Sequence, residues 1–446
     1  MSYTPHTARD RQRMLDAIGA RSITELFEVV PEAIRFPALR LPAAISELEA
    51  AQELGALAAE NLDASRYPIF LGAGAYNHYV PSLVNQLILR GEFYTAYTPY
   101  QPEVSQGTLQ SIYEYQSMVA ELMGMEVCNA SMYDGGSALA EAAVMAINTT
   151  HRGRVVVSPT VHPNYRAVLK TYVAGQQIEV VEPALRDGQT VCEPAAIAPH
   201  LTDDTAALIV QYPNFLGAIE DLAALGQAAH AAGALFVVAA YPIALGLLKP
   251  PGEYDADIAV GEGQSLGNAL SFGGPYVGLF TCKQRFIRSM PGRLVGATTD
   301  TQGRRGFVLT LQTREQHIRR ERATSNICTN QGLNALVACL YLATMGKQGM
   351  RAVAELCYHK AHYAARQIAA LDGYAVLDAA PFFNEFVVRC PRPATEVNAH
   401  LLSQGIIGGY DLSADYPALG NALLLAVTEL NTRAEIERLV AALGSQ

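Results

Sequence analysis

Short apolar runs that are rich in branched side chains alternate with helix-like stretches from residue 68 onward. Six of these runs have the character of strands, at residues 69–71, 154–157, 177–181, 206–210, 235–239 and 258–260. Apart from Arg154, Gln177 and Glu179, the residues of these runs are apolar rather than alternately apolar and polar, which is typical of strands buried on both faces. Such strands, separated by helices, predict an α/β fold with a parallel sheet that is covered on both sides.

Helical periodicity and stop signals define the elements around this sheet. In residues 108–123 apolar side chains recur every three or four positions, and Gly124 follows as a stop signal. The stretch 222–232 is closed in the same way by Gly233. We therefore predict one helix over each of these stretches.

The two ends of the chain have patterns of their own. Ser22 with Glu25, and Ser46 with Glu49, have the capping-box spacing, which predicts short helices used for packing or subunit contact. After residue 332 a long Ala- and Leu-rich helical stretch begins, and strand-like and helical runs follow it. We predict an N-terminal helical segment (1–67), a large α/β domain with a mainly parallel sheet (68–330) and a smaller α+β domain (331–446).

Composition is that of a folded globular protein. Half of the 446 residues are hydrophobic and 17% are charged, unlike the composition of disordered chains. Acidic side chains outnumber basic ones by 42 to 32 without a dense basic block, which argues against a nucleic-acid partner. The longest apolar run, 234–248, is interrupted by Pro242 and Gly246 and is short for a membrane span, so we expect no membrane association and a cytoplasmic location.

Cysteine and histidine spacing predicts no metal site. The seven cysteines include no CxxC pair, and no histidines cluster at the spacing of zinc ligands. Since an odd number of thiols cannot all pair, we expect buried, reduced cysteines in a cytosolic protein.

The first candidate site is a glycine turn that opens a helix. Gly135, Gly136 and Ser137 follow a short strand and lead into a helix-forming stretch. Backbone N–H groups at a helix start favour an anion, and the Ser137 hydroxyl adds a donor. From the residues alone two interpretations stay open: a phosphate site, or a helix cap supplied by Ser137.

The second candidate is the tyrosine loop, residues 92–107, which reads EFYTAYTPYQPEVSQG. Its hydrogen-bonding side chains include Tyr94, Thr95, Tyr97, Thr98, Tyr100, Gln101, Glu103, Ser105 and Gln106. A stiff, amphipathic loop rich in donors suits the wall of a ligand channel, although tyrosines at this density also cover seams between domains. Because loops carry function disproportionately, we favour the channel wall.

Three further features carry weaker signals. The glycine-rich run 260–278 has the wrong spacing for a dinucleotide loop and opens no clear helix. The run 314–331 places Arg and Glu at helical offsets, which is typical of a solvated or interfacial helix face. The His162 ring is a possible stacking partner for a flat ligand, and a buried histidine without a ligand is the other interpretation.

Three stretches resemble one protein family. They are EFYTAYTPYQPEVSQG at 92–107, GEGQSLGNALSFGG at 261–274 and GRRGFVLTLQTREQHIRRERATSNICTNQ at 303–331. The chain is similar over essentially its whole length to the P-proteins of the glycine cleavage system, in particular to subunit 1 of their two-subunit bacterial form. The resemblance implies the aspartate-aminotransferase-like fold (fold type I) of pyridoxal-phosphate enzymes. It also implies an α2β2 heterotetramer with subunit 2, which decarboxylates glycine on pyridoxal phosphate, transfers the aminomethyl group to the lipoyl arm of the H-protein and releases CO2.

The residues that hold pyridoxal phosphate are missing at their expected places. A Schiff-base lysine should follow a strand of the large domain, and an acidic residue should pair with the pyridinium nitrogen. Residues 258–274 contain no lysine, and residues 236–241 contain no carboxylate. The lysines of the chain are Lys170, Lys249, Lys283, Lys347 and Lys360. We infer that this chain does not hold the cofactor in the usual way, and the resemblance implies that subunit 2 carries the lysine.

The resemblance also implies an active site at a subunit interface, as is normal for this fold, so a paralogue without the lysine can complete the site of its partner. We predict that the tyrosine loop faces the cofactor of the partner and the lipoyl channel, where it excludes water. The turn at 135–137 is then a vestigial phosphate turn. The alternatives are a self-sufficient pyridoxal enzyme that uses Lys249 or Lys283, and a non-catalytic scaffold that stabilises subunit 2.

Overall fold

The computed structural model describes residues 5–186, 188–377 and 380–445. The chain forms two compact units, Met1–Leu62 and Asp63–Gln446. The domain boundaries predicted at residues 67 and 330 stay predictions, and the predicted parts include a few residues outside the described ranges.

The N-terminal unit consists of two helices and the turns between them. Helix α1 spans Ala8–Ile18 and helix α2 spans Glu47–Ala59. Helix α2 begins at the predicted capping box, in which the Ser46 side chain accepts a hydrogen bond of 3.2 Å from the N–H of Glu49. The other predicted box leads into a 3₁₀ turn, Thr24–Phe27, so the element there is shorter than an α-helix.

The second unit contains three sheets within the described residues. Its strands are β1 (Val127–Cys128), β2 (Arg154–Val157), β3 (Glu179–Val181), β4 (Thr205–Tyr212), β5 (Leu235–Ala240), β6 (Ile258–Glu262), β7 (Gly278–Cys282), β8 (Leu294–Thr299), β9 (Arg305–Thr310), β10 (Ala375–Leu377), β11 (Glu385–Arg389), β12 (Tyr410–Asp411) and β13 (Ala422–Ala426). Its helices are α3 (Ser82–Ile88), α4 (Gly91–Tyr94), α5 (Gln106–Met123), α6 (Gly135–Thr150), α7 (Pro163–Val173), α8 (Pro194–Ile197), α9 (Leu222–Ala231), α10 (Gln316–Arg319), α11 (Gly332–Ala369), α12 (Ala394–Ser403) and α13 (Arg433–Gly444).

The large sheet has the strand order β1-β7-β6-β5-β4-β2-β3. Strands β2 to β6 are parallel to one another, whereas β7 runs antiparallel to β6 and β1 runs antiparallel to β7. Five of the six predicted strands are β2 to β6, which confirms the parallel sheet. The antiparallel edge made by β7 and β1 was not predicted.

Alternate side chains of the central strands enter two different cores. In β4, Leu208 and Val210 pack into the core on one face of the sheet, while Ala207 and Ile209 pack into the core on the other face. Burial of a Val, Leu or Ile side chain contributes about 1.5–3 kcal/mol. Strands that are apolar on both faces need a layer of helices on each face of the sheet. Because these strands are parallel, their carboxyl ends all lie at the same edge of the sheet.

The sixth predicted strand, at 69–71, is wrong as a member of the large sheet. Ile69 instead forms an isolated bridge with Ile407, and Phe70 is fully buried in the core of the C-terminal sheet. A run of three apolar residues is too short for its pattern to distinguish a strand of the sheet from a short buried segment.

The two smaller sheets are antiparallel. Strands β10, β11, β13 and β12 form the C-terminal sheet, and α11, α12 and α13 contribute to its core. Strands β8 and β9 form a hairpin that packs on α5 through Leu109, Val295 and Phe307. The long helix α11 is interrupted at Gly346, whose φ of 57° is not helical.

The predicted helices at 108–123 and 222–232 are confirmed by α5 and α9. The helical interpretation of 314–331 is wrong, because only α10 and two 3₁₀ turns form there and Arg320 has a φ of 55°. No helix among the described residues is long and apolar enough to cross a membrane.

Candidate functional site

The carboxyl ends of β4, β5 and β6 converge on a small pocket, at the edge where open parallel sheets bind ligands. We call it the sheet-edge pocket, and its lining includes Tyr76, His162, Tyr165, Gln211, Ala239 and Glu262. Its volume is about 30 Å³. That space holds one or two water molecules and is far too small for an aromatic ligand.

Glu262, at the end of β6, occupies the anion position at the start of α6. Its carboxyl group accepts hydrogen bonds from the N–H groups of Gly135 (2.9 Å), Gln264 (3.0 Å) and Val277 (3.2 Å). Desolvation raises the pKa of Glu262 to about 8, although the three donors act in the opposite direction. A side chain of the protein therefore satisfies the N–H group of Gly135, at the start of α6, which a bound phosphate would need.

The predicted turn at 135–137 is structural in this chain. Asp134 is the residue that caps α6, since its carboxylate accepts from the N–H of Ser137 at 2.7 Å. The Ser137 side chain completes this capping box by accepting from the N–H of Asp134 at 3.2 Å. Ser137 is thus the third residue of the helix and supports the cap instead of supplying it. At Gly135 a Cβ would lie 2.5 Å from the Tyr165 hydroxyl, which explains the glycine there.

His162 lies in the sheet-edge pocket, but neighbouring groups already use its ring. The ring stacks on Tyr165 with centroids 4.6 Å apart and an interplanar angle of 14°. Nε2 donates to the carbonyl of Ala73 at 2.9 Å, and Nδ1 accepts from the N–H of Asn164 at 3.1 Å. Desolvation lowers the pKa of His162 to about 4, so the imidazole is neutral at physiological pH.

The tyrosine loop lines a different and larger cavity. A space of about 220 Å³ lies between this loop and the start of α11, and Tyr94, Tyr97, Thr98, Tyr115, Thr329 and Leu333 contribute to its wall. The loop does not contribute to the sheet-edge pocket within the described residues. The predicted site residues therefore lie in two different places. The tyrosine loop lines the larger cavity, whereas His162 and the glycine turn lie at or beside the sheet-edge pocket.

The side chains of the tyrosine loop point largely into solvent. Tyr97 is 89% exposed, Tyr94 is 61% exposed and Tyr100 is 51% exposed. The polar residues Thr95, Gln101, Glu103 and Gln106 are exposed as well, and Ser105 is half-buried. Exposed aromatic groups at this density are typical of surfaces that another molecule covers.

Gln106 fixes the end of the tyrosine loop to the β8–β9 hairpin. Its side-chain amide donates to the carbonyl of Phe307 at 2.8 Å and accepts from the N–H of Phe307 at 2.9 Å. These two hydrogen bonds resemble the pair that a neighbouring strand would form with Phe307. The loop is therefore held in place while its tyrosines face outward.

Arg293 fixes the middle of the loop from below. This buried side chain donates to the Tyr100 hydroxyl at 3.2 Å, to the carbonyl of Cys328 at 3.0 Å and to the Asn330 side chain at 3.3 Å. Asn330 in turn donates to the carbonyl of Ala130 at 2.9 Å. Arg293 thus joins the tyrosine loop to the segment before α11, and the sequence analysis did not single it out.

A third cluster joins residues that are far apart in the sequence. His78 Nδ1 lies 2.7 Å from the Glu429 carboxylate, and Cys357 donates to the same carboxylate at 3.4 Å. These ligand-type atoms lie within 4.8 Å of one another. The Glu429 carboxylate also accepts from the N–H of Tyr79 at 2.7 Å, and the Tyr241 hydroxyl contacts His78 Nε2. The cluster is a satisfied hydrogen-bond network, which short-range spacing in the sequence does not reveal.

Comparison with known proteins identifies the family. Residues 1–443 match the family described as "Glycine cleavage system P-protein". The chain is 57% identical to the probable glycine dehydrogenase (decarboxylating) subunit 1 of Thermomicrobium roseum over 99% of each chain. It is 54% identical to the protein of the same name from Carboxydothermus hydrogenoformans, over 100% of this chain and 99% of the relative.

The chain belongs to the glycine cleavage system P-protein family. A solved P-protein, described as glycine decarboxylase in inhibitor-bound form, covers 100% of both chains with a TM-score of 0.93 and 46% identity. A cysteine desulfurase from Thermococcus onnurineus matches in fold alone, with a TM-score of 0.64 and 15% identity over 91% of this chain and 99% of that one. The predicted family and the predicted fold type I are therefore confirmed.

Pyridoxal phosphate, which the P-protein fold implies, does not fit the sheet-edge pocket of this chain. Glu262 accepts from the Gly135 N–H at the anion position, and the strand residues 236–241 offer no carboxylate to a pyridinium nitrogen. No lysine among the described residues lines the pocket. The small remaining volume agrees with these three observations.

The two lysines of the self-sufficient alternative lie away from the pocket of this P-protein. The β6–β7 register pairs Ile258 with Cys282, so Lys283 lies at the opposite edge of the sheet from Glu262. Lys283 forms an ion pair of 2.9 Å with the buried Asp257. Lys249 lies 4.8 Å from the centroid of the Tyr254 ring.

Proposed function

We propose that this chain is the subunit of a two-subunit glycine dehydrogenase (decarboxylating) that does not carry the cofactor. Its relatives are named subunit 1 of that enzyme, which implies a second subunit. The observation that carries the proposal is the position of Glu262, whose carboxyl group accepts the hydrogen bond of the Gly135 N–H at the start of α6. A chain that fills its own anion site contributes to catalysis through another surface.

That surface is the tyrosine loop. In the proposed complex Tyr94, Tyr97 and Tyr100 cover the pyridoxal phosphate site of the lysine-bearing subunit 2. Their exposure in this chain and the two anchors at Gln106 and Arg293 support this role, since they describe a wall that is rigid and uncovered. The polar side chains of the loop (Thr95, Thr98, Gln101, Glu103, Ser105 and Gln106) then lie along the channel for the lipoyl arm.

The complex as a whole decarboxylates glycine and passes the aminomethyl group to the lipoyl arm of the H-protein, with release of CO2. The task of this chain is to exclude water, because protonation of the decarboxylated carbon would end the transfer. Aromatic walls suit that task, since they combine a large apolar area with few rotatable bonds. We further propose an α2β2 assembly in the cytoplasm.

The self-sufficient alternative has less support. A cofactor bound through Lys283 would lie at the amino-terminal edge of the parallel strands, where Asp255 and Asp257 already pair with this lysine at 2.7 Å and 2.9 Å. The scaffold alternative predicts the same cofactor location as our proposal, so only activity separates the two.

Borohydride reduction followed by peptide mass analysis tests the location of the cofactor. We expect a pyridoxyl-lysine on subunit 2 in the reconstituted complex and no pyridoxyl-lysine on this chain, whether alone or assembled. A modified peptide that contains Lys249 or Lys283 would overturn the proposal. The isolated chain treated with pyridoxal phosphate is the control for non-specific labelling.

A further inference from the structure

One segment of this acidic protein is rich in basic residues. Residues 283–322 contain ten Lys and Arg but three Asp and Glu, in a chain whose net charge is −10. The segment comprises β8, β9 and the turns around α10. A surface whose charge is opposite to that of the whole protein indicates binding of a charged partner.

Three of these arginines are exposed and lack an acidic partner. Arg319, Arg320 and Arg322 have exposed side chains, and none of them forms an ion pair within the part of the chain that the structure describes. We call these three residues the arginine turn. Ile318 beside them is 49% exposed, which adds an apolar contact to the charged surface.

The arginine turn adjoins the tyrosine loop. The His317 ring lies 6.2 Å from the Tyr100 ring, centroid to centroid, and Glu315 lies 3.8 Å from the Arg293 side chain that holds Tyr100. Arg314, on the same segment, donates to the carbonyl of Gly292 at 2.8 Å. The arginine turn is thus held next to Arg293 and Tyr100, which belong to the proposed channel wall and its support.

We propose that the arginine turn is the docking surface for an acidic face of the protein that carries the lipoyl arm. This inference rests on the proposed function, because the arm has to reach the site that the tyrosine loop covers. Three exposed arginines against one exposed acid, Glu321, leave this turn with a net positive charge beside the channel. Such a charge steers an oppositely charged carrier to the mouth of the channel and raises the rate of encounter.

The character of the two surfaces distinguishes this partner from subunit 2. Permanent interfaces have apolar, aromatic cores, and the exposed Tyr94 and Tyr97 provide such a surface. Arginines without an acidic partner fit a transient encounter better, since a carrier that delivers and removes a group at each turnover must bind quickly and leave. The arginine turn is therefore assigned to the carrier and the tyrosine loop to subunit 2.

A charge reversal in the assembled enzyme tests the assignment. The variant carries Arg319→Glu, Arg320→Glu and Arg322→Glu. A matched control carries Arg366→Glu, Arg392→Glu and Arg438→Glu, at three other exposed arginines for which the structure shows no ion pair among the described residues. Exchange of the glycine carboxyl with bicarbonate is measured with the lipoylated H-protein and, separately, with free lipoic acid. We expect the reversal to raise the KM for the carrier about tenfold at low salt and to leave the rate with free lipoic acid within about twofold.

A second variant with lysine at the same three positions separates charge from folding. It should keep a KM near that of the wild type, and the control reversal should do the same. Added salt should raise the KM of the wild type and bring it towards that of the reversed variant.

Two results would overturn the docking surface while leaving the proposed function intact. One is an unchanged KM for the carrier in the reversed variant. The other is loss of co-purification with subunit 2, which would assign the three arginines to the subunit interface. A wild-type complex that is inactive with both acceptors would instead reject the proposed function, and this inference with it.

Discussion

The Arg293 guanidinium lies 5.6 Å from the centroid of the Tyr100 ring and donates a hydrogen bond of 3.2 Å to its hydroxyl. One buried cation thus holds the exposed tyrosine through both the ring and the hydroxyl. The same guanidinium donates to the carbonyl of Cys328 at 3.0 Å, so it links the tyrosine loop to the segment before α11.

Replacement of Arg293 should loosen this link. Arg293→Lys keeps the charge but loses the forked donors, so we expect the free energy of unfolding to fall by about 1–3 kcal/mol. Tyr100→Phe removes one hydrogen bond and should cost about 0.5–1.5 kcal/mol. Urea unfolding of both variants and of the double variant measures their coupling. Strictly additive losses would show that the contact does not hold the loop.

Removal of an exposed tyrosine should affect activity without affecting stability. Tyr97 is 89% exposed, so Tyr97→Ala should change the free energy of unfolding of this chain by less than about 0.5 kcal/mol. In the complex with subunit 2 it should lower the carboxyl exchange rate by roughly tenfold, because the wall no longer excludes water. Tyr79→Ala, at an exposed tyrosine outside the loop, is the control. Undiminished exchange in the Tyr97 variant would favour the scaffold.

Removal of the Glu262 carboxyl should open the anion position. Glu262→Ala leaves the N–H groups of Gly135, Gln264 and Val277 without an acceptor, which should cost about 1–3 kcal/mol of stability. Inorganic phosphate should then raise the Tm of this variant and leave the Tm of the wild type unchanged. Chloride at the same ionic strength is the control. An equal response of the two proteins to phosphate would show that the carboxyl group does not block the position.

Glu385 should make stability depend on pH. It accepts from the N–H of Ala73 and from the Tyr76 hydroxyl, both at 2.7 Å, and burial raises its pKa to about 7. The folded chain holds this proton more tightly than the unfolded chain. The contribution of Glu385 is therefore fully present below the ordinary glutamate pKa of 4.5 and is lost as the pH rises through about 7.

The Glu385→Gln variant isolates this effect, because its amide mimics the protonated carboxyl at every pH. Relative to the wild type, its free energy of unfolding should rise by about 2 kcal/mol between pH 5 and pH 8. Urea unfolding at several pH values gives both curves. Parallel curves would show that Glu385 titrates alike in the folded and unfolded chains.

Local sequence patterns were sufficient to predict the parallel sheet and helices α5 and α9. Strands β4 and β5 are apolar on both faces, so their burial is visible in the composition of each run. Strand β1 has two residues, and its partner β7 is distant in the sequence, so the antiparallel edge left no comparable signal. The Arg-rich run failed as a helix because Arg320 adopts a positive φ that charge spacing does not encode.

The candidate site was predictable only in part. The absence of a lysine from residues 258–274 was visible in the sequence, because it concerns residue types alone. The role of Glu262 was not visible, since its three donors come from separate positions and meet only in the fold. Arg293 and the His78 cluster were missed for the same reason. The site roles predicted for the tyrosine loop stay predictions until the complex is tested.

The position of Glu262 also bears on how such a subunit evolves. Its side chain stands in the stretch where a lysine would be sought and, at the same time, seals the start of α6. A lineage that regained a lysine in this stretch would still have Glu262 in the position of the phosphate. A lineage that lost Glu262 alone would be less stable. Return to a cofactor-binding chain therefore requires both substitutions together, because neither one alone restores binding without a loss.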